Sequence, residues 1–378
     1  MSSTSTSATG AVAPVSAPPA VPLRRGIAAL PAYVPGARPQ GAGIAKLSSN
    51  ELPYPVQDSV LAALTDAAAG VNRYPEMTGQ SLAEALAASH AEHGIDPRQI
   101  VLGNGSVALI QHLLDTVCEP GDEVVIPWRS FEAYPICVAV AGARAVRVPV
   151  TAEGRHDVPA MLAACGPATR VIMACTPNNP TGPALTAAEL EALVDGAPDD
   201  VLVLVDEAYL DFVTDPAVGN ALDLLADHPG LVVCRTFSKA HALAGMRVGY
   251  LVAEPALAAA IRSVTTPFGV SLPAQAAAAA AIAPPALAET ARRARAVAVE
   301  RDRVLAALRD QGWSVPDAQG NFLWLPVGGD AAALAAHFEA AGILVRPFDG
   351  DGARVSIGTP AENDRVLAAA ASWPGERA

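Results

Sequence analysis

Positive charge is scarce in this chain: 25 lysines and arginines face 38 aspartates and glutamates across 378 residues, for a net charge of −13. Nothing gathers those basic residues into a stripe, which speaks against a nucleic acid or an anionic membrane surface as partner and leaves a small-molecule enzyme as the better fit. Long apolar runs are missing as well. Hydrophobic residues make up 51% of the chain, much of it alanine, yet no uninterrupted stretch reaches ~18 residues without proline or charge, so no transmembrane helix is expected. The five cysteines, Cys118, Cys137, Cys165, Cys175 and Cys234, have no metal-binding spacing, and four lie in or beside apolar runs where a buried thiol is the ordinary reading. The seven histidines are equally unpatterned, His241 included, so no metal site is expected. The first twenty or so residues carry no charge before Arg24 and no leucine-rich centre. They read as a disordered tail (1–22) on a cytoplasmic protein, without a signal peptide. No internal repeat is visible.

The chain is long enough for more than one compact unit, since single cores stop growing at roughly 250–300 residues. From about residue 100 to 260, apolar runs of strand length alternate with alanine-rich helical stretches, at 100–102, 123–126, 145–149, 170–175, 201–205, 231–234 and 247–253. That alternation predicts an α/β fold: a large, mostly parallel sheet covered by helices on both faces. After about 266 the pattern changes to a proline cluster, a charged helix near 287–311 and short strand candidates at 322–326, 343–346 and 354–357. This predicts a smaller α+β domain (266–378), completed by an N-terminal arm (23–45) and set beside a large domain (46–265).

In an open α/β sheet ligands gather beyond the carboxyl ends of the strands, and the chemically suggestive residues follow strands here. Lys239 stands after a hydroxyl pair in Arg235-Thr236-Phe237-Ser238-Lys239, with Arg247 eight positions on. A desolvated amine beside a second cation loses its proton readily and becomes a nucleophile for carbonyl compounds, able to hold an aldehyde cofactor. Asp206 ends a five-residue apolar run and requires a cationic partner or good donors if buried; a turn or cap carboxylate is the plainer alternative. Asn179 is presented between prolines in Pro177-Asn178-Asn179-Pro180, where neither strand nor helix continues. Gly103-Asn104-Gly105-Ser106 leads from a strand into a helix whose first amides could bind an anionic phosphate. Such turns are common in α/β proteins and carry little weight alone.

In order, Gly105-Ser106, Asn179-Pro180-Thr181-Gly182, Asp206 with Tyr209, Ser238-Lys239 and Arg247 resemble the pyridoxal-phosphate aminotransferases of the aspartate-aminotransferase fold. The resemblance runs from Leu30 onward. The blocks at Tyr33-Val34-Pro35-Gly36, Lys46 to Glu51, Asn72 to Pro75, Trp128 to Tyr134 and Asn321 to Trp324 narrow it to the branch with histidinol-phosphate and actinobacterial aromatic amino-acid aminotransferases.

The resemblance implies pyridoxal 5'-phosphate as cofactor, bound to Lys239 as a Schiff base, with the freed lysine moving a proton between the substrate α-carbon and cofactor C4′. It implies that Asp206 pairs with the pyridine nitrogen, that Asn179 and Tyr209 hydrogen-bond the phenolate oxygen, and that Arg247, Ser238, Thr236 and the backbone of Ser106 and Val107 hold the phosphate. Phe131 falls where the family stacks a ring on the pyridine, with a core aromatic as the alternative. Tyr74 falls where the family reaches the neighbouring subunit's phosphate, which implies a homodimer with shared active sites. Arg354 falls on the residue that clamps the substrate α-carboxylate, and Asn50 joins it on the substrate side.

For the substrate, the places where several histidinol-phosphate enzymes hold a second phosphate are Val107-Ala108 and Pro326 here; Arg346 remains, followed by Pro347-Phe348. Tyr33, Phe268 and Tyr134 could line an apolar side-chain pocket. The expected activity is therefore transfer of the amino group between phenylalanine, tyrosine or tryptophan and 2-oxoglutarate. Histidinol-phosphate transamination is the alternative, and a phosphothreonine-type decarboxylase a further one. A cofactor-sensing regulator would need a DNA-binding module that the short, proline-rich segment before Tyr33 does not supply.

Overall fold

The computed structural model describes residues 21–22, 24–28, 30 and 43–377. Tyr33 and most of the expected tail and arm lie outside those residues. The strands are β1 (Ala45–Lys46), β2 (Ile100–Gly103), β3 (Glu123–Trp128), β4 (Arg144–Pro149), β5 (Thr169–Cys175), β6 (Leu202–Asp206), β7 (Leu231–Thr236) and β8 (Gly249–Val252), followed by β9 (Phe322–Leu325), β10 (Ile343–Leu344), β11 (Arg346–Phe348) and β12 (Gly352–Ser356).

β2 to β8 form one seven-stranded sheet in the order β2-β8-β7-β6-β5-β3-β4. Its pairs are parallel except at β8, which runs antiparallel to both β2 and β7. The apolar runs are continuous because both faces are covered, with alternate residues serving two cores. Val125, Ile172, Val203, Val205 and Val233 face one core, with helices Gln80–Ser89 and Leu272–Ala281. Val124, Ile126, Val171, Leu204 and Val232 face the other, with helices Ser106–Val117 and Ala133–Ala141.

Two local departures from the sequence reading have a backbone cause. The run expected at 247–253 becomes a strand only at Gly249, because Arg247 adopts a left-handed conformation with φ 53°, which interrupts any strand. The helix Leu272–Ala281, expected within the smaller domain, packs its alanines into the core of the large sheet.

A third core joins the antiparallel sheet β11-β12-β9 to the long helix Pro284–Asp310 and the final helix Pro360–Ala371. β1 pairs in parallel with β10, with Ala45 beside Ile343. The chain just after the N-terminal segment is thereby tied to the C-terminal third. Ala208, Tyr209 and Phe212, which follow β6, belong to this third core, so the end of the large sheet and the small sheet share packing.

Candidate active site

The carboxyl ends of β5, β6 and β7 open onto a cavity of about 300 Å³. β6 delivers Asp206 as its last residue, β7 ends at Thr236 just before Ser238 and Lys239, and β12 brings Arg354 from the other side. These residues are distant in sequence and meet only through the fold.

Lys239 donates from Nζ to the Ser49 carbonyl at 3.1 Å and stands 5.5 Å from the centre of the Tyr209 ring. Its amine is pulled down to about 7, chiefly because burial disfavours the charged form and next because Arg354 repels it, with Glu51 acting the other way. A neutral amine is therefore well populated near neutral pH.

Asp206 is buried, and its Oδ2 accepts the Tyr134 hydroxyl at 2.9 Å while its Oδ1 accepts the Ala208 N–H at 3.1 Å. Burial raises its carboxyl to about 6 against the pull of those two hydrogen bonds. Such a carboxylate favours a positive partner placed opposite it.

The anion end is built from backbone and glycine. Gly105 (φ +82°) precedes helix Ser106–Val117 and offers no side chain to cap it, unlike Thr186, which caps its own helix reciprocally with Glu189. A Cβ on Gly105 would come within 2.6 Å of Arg247 Nη2, and one on Gly249 within 3.0 Å of the Ser106 nitrogen. Only glycine permits this approach of guanidinium and helix start. Arg247 donates to the Ala244 carbonyl at 3.0 Å and reaches Ser238 Oγ at 3.5 Å, and Thr236 Oγ1 lies 3.0 Å from Ser238 Oγ. A guanidinium, two hydroxyls and a helix N-terminus around one space suit a phosphate group.

Arg354 donates to Asn179 Oδ1 at 2.5 Å and to the Ser48 carbonyl at 2.7 Å. Tyr209 accepts from Asn50 Nδ2 at 3.0 Å, and burial pushes its phenol up. Thus Lys239, Asp206, Asn179, Tyr209, Ser106, Val107, Phe131, Thr236, Ser238, Arg247, Arg346 and Arg354 all line the one cavity.

Other expected site residues lie elsewhere. Tyr134, expected in the side-chain pocket, is fully buried behind Asp206; its hydroxyl needs a partner there and finds the carboxylate, so it supports Asp206 instead of facing a substrate. Asn50 is fully buried with φ 53°, bonded to Tyr209, Ser356 and Asn321, and supports the cavity wall from outside. Tyr74 and Phe268 stack on each other at 4.6 Å between ring centroids. Both are exposed, Tyr74 by 81%, and neither lines the cavity of its own chain.

Glu132 and Phe348, which no motif singles out as site residues, also line the cavity. Glu132 sits between the two aromatics of the Phe131-Glu132-Ala133-Tyr134 block, but its partner, Arg346 at 2.8 Å, lies 214 positions away. Only the block pointed towards it.

Comparison with known proteins follows the same lines. A model of the family aminotransferase class I and II matches residues 42–370. The chain is 46% identical over 355 residues to an aromatic amino acid aminotransferase of Thermobifida fusca, covering 93% of this chain and 97% of that one. It is 48% identical over 350 residues to one of Rhodococcus jostii, covering 92% and 95%. Among solved structures it is similar to a histidinol-phosphate aminotransferase from Sinorhizobium meliloti in complex with pyridoxal-5'-phosphate, with a TM-score of 0.79, 30% identity and coverage of 86% and 90%.

Proposed function

Since the chain belongs to the class I and II aminotransferase family, a family of pyridoxal-phosphate-dependent transaminases, we propose that it transfers the amino group between phenylalanine, tyrosine or tryptophan and 2-oxoglutarate. One observation carries the reading of the site: a lysine amine brought to about 7 stands in the same cavity as a buried carboxylate and an arginine-lined anion cradle. The aromatic assignment is supported by relatives named for that activity over most of their length and by the rings of Phe131 and Phe348 in the cavity wall.

Pyridoxal phosphate, held here, supplies the electron sink that lets an amino acid give up its α-proton. Lys239 would hold the cofactor's aldehyde end through its neutral amine and, once freed by the substrate, would carry the proton that leaves the substrate α-carbon. Asp206 would hold the proton on the pyridine nitrogen, and Tyr134 fixes that carboxylate. Asn179 and Tyr209 would hydrogen-bond the phenolate oxygen. Arg247, Ser238, Thr236 and the backbone of Ser106 and Val107 would take the phosphate, and Phe131 would pack on the ring. Arg354 orients the substrate by its α-carboxylate with two guanidinium nitrogens.

The shared-site dimer belongs to the same reading. Tyr74 and Phe268 form an exposed aromatic pair, and a monomer leaves such a pair without a partner surface. In this arrangement Tyr74 completes the phosphate site of a second copy.

The test is steady-state transamination of phenylalanine beside histidinol phosphate, with 2-oxoglutarate as acceptor. A preference for phenylalanine is expected. A large preference for the phosphate ester overturns the aromatic assignment and leaves the transaminase intact.

A further inference from the structure

At one end of the cavity two strands bring like charges together. β11 and β12 are antiparallel with Arg346 directly opposite Arg354, and both residues line the cavity. Two cations facing each other across a ladder repel, so each requires an acceptor. Arg354 has Asn179 and the Ser48 carbonyl. Arg346 has Glu132, whose Oε2 accepts from Nη2 at 2.8 Å.

Glu132 is carried at the start of helix Ala133–Ala141, next to Phe131, and its side chain is 29% exposed against 10% for Arg346. The ring of Phe348, two residues beyond Arg346 on β11, lies 5.7 Å from the Arg346 guanidinium carbon and 5.8 Å from that of Arg354. Trp324 packs edge-on behind it at 5.4 Å. Asp206, Arg247 and Arg354 are taken up by the ring, phosphate and α-carboxylate ends of the proposed complex. The side-chain end therefore offers an apolar ring and a matched charge pair.

Resting on the aromatic reading above, we propose that Glu132 is a specificity-determining residue, which holds Arg346 and so puts side chains that end in phosphate or carboxylate at a disadvantage against uncharged rings. An anionic side chain must displace Glu132 from Arg346 and then stand beside the displaced carboxylate, a like-charge contact that an uncharged ring never meets. The distal carboxylate of 2-oxoglutarate meets the same competition, so the acceptor binds by parting this pair. A merely structural Glu132, balancing two arginines, would affect stability and leave the order of substrates unchanged.

The experiment compares the wild-type holoenzyme with Glu132→Gln. The ratio of kcat/KM for histidinol phosphate to that for phenylalanine is expected to rise about tenfold or more in the variant, and the KM for 2-oxoglutarate to fall. Glutarate and 3-phenylpropionate, titrated calorimetrically without turnover, should show glutarate binding tightened and 3-phenylpropionate nearly unchanged. Adding Arg346→Met to Glu132→Gln should remove the gain. If Glu132→Gln does not fold, Glu132→Asp, whose shorter side chain loosens its hold on Arg346, gives the same comparison. A ratio within about twofold of wild type together with unaltered glutarate binding overturns the proposal. The wild-type preference alone tests the aromatic reading, so that reading and the role of Glu132 fail on different measurements.

Discussion

Arg354 Nη1 lies 2.5 Å from Asn179 Oδ1, which makes the proposed carboxylate clamp and the amide proposed for the phenolate oxygen one hydrogen-bonded unit. With its oxygen engaged, Asn179 has its amide nitrogen to donate. Asn179→Ala is expected to lower kcat/KM for phenylalanine on the order of 10²-fold, by loss of the donor and misplacement of Arg354. Asn179→Asp keeps an acceptor for Arg354 but loses the donor, so its KM should stay near wild type while kcat falls. Equal KM increases in both variants would contradict this division.

Lys239 titrates near 7 because it is desolvated and because Arg354 repels its charge. Capture of pyridoxal phosphate by cofactor-free protein, followed by the yellow colour that develops, should speed up as pH rises through about 7, where the neutral amine appears. Arg354→Met removes a neighbouring cation and should move that midpoint upward, towards the ordinary lysine value. Lys239→Ala should abolish the colour change and lower turnover by roughly 10⁴-fold. An unmoved midpoint in Arg354→Met would show that burial alone sets the amine.

The Asp206 carboxyl is raised from 3.8 to about 6, first by burial. The folded chain thus binds this proton more tightly than the unfolded chain, and the stability gained is complete below about 3.8 and lost as pH rises through about 6. A shift of this size is worth roughly 3 kcal/mol. In cofactor-free protein, the Tm of Asp206→Asn relative to wild type should therefore climb between about pH 4 and 7, while transamination falls at least about 10²-fold. A Tm difference that stays flat with pH would contradict the raised carboxyl.

Gly105→Ala places a methyl 2.6 Å from Arg247 Nη2 on a backbone with φ +82°. The arginine can swing away, and in doing so it leaves the anion cradle. Affinity for pyridoxal phosphate and for inorganic phosphate, measured separately by titration, should each drop about 10-fold or more, with a stability loss of about 1–2 kcal/mol from the strained backbone. Unchanged phosphate affinity would place the anion elsewhere.

Tyr74→Ala and Phe268→Ala each break the exposed aromatic pair. Sedimentation equilibrium should show weakened self-association in both. Cofactor affinity measured in the associated state should fall further for Tyr74→Ala, because that ring is the one proposed to reach a second copy's phosphate. Identical losses in both variants would make the pair an interface feature only.

The cavity wall was largely legible before the fold was. Asn179, Asp206 and Lys239 stand at or just beyond the ends of β5, β6 and β7, and strand ends of a parallel sheet converge whatever the loops do; Arg247 precedes the antiparallel β8, and Arg354 comes from the middle of β12 in the small antiparallel sheet. Which way a side chain at a helix entrance points was not legible in the same sense. Tyr134 and Phe131 sit three apart, yet Phe131 faces the cavity and Tyr134 turns under Asp206, a choice made by the packing of helix Ala133–Ala141 against the sheet. Asn50, expected on the substrate side, stands instead behind Tyr209 and outside the cavity lining, since no local pattern reveals which face of a wall a residue occupies. The Glu132–Arg346 pair required the register of β11 and the seating of a helix 214 residues earlier.

Residues 48–50 accept Arg354 at Ser48, accept Lys239 at Ser49, and hold Tyr209 through the Asn50 side chain. Arg354, Lys239 and Tyr209 are therefore all aligned to three consecutive residues, and a change in any of them is felt by the others. Glu132 and Phe348 make none of those bonds. If Glu132 selects substrates as proposed, variation at these two positions would redraw which acids are welcome while the hydrogen bonds of residues 48–50 are inherited intact.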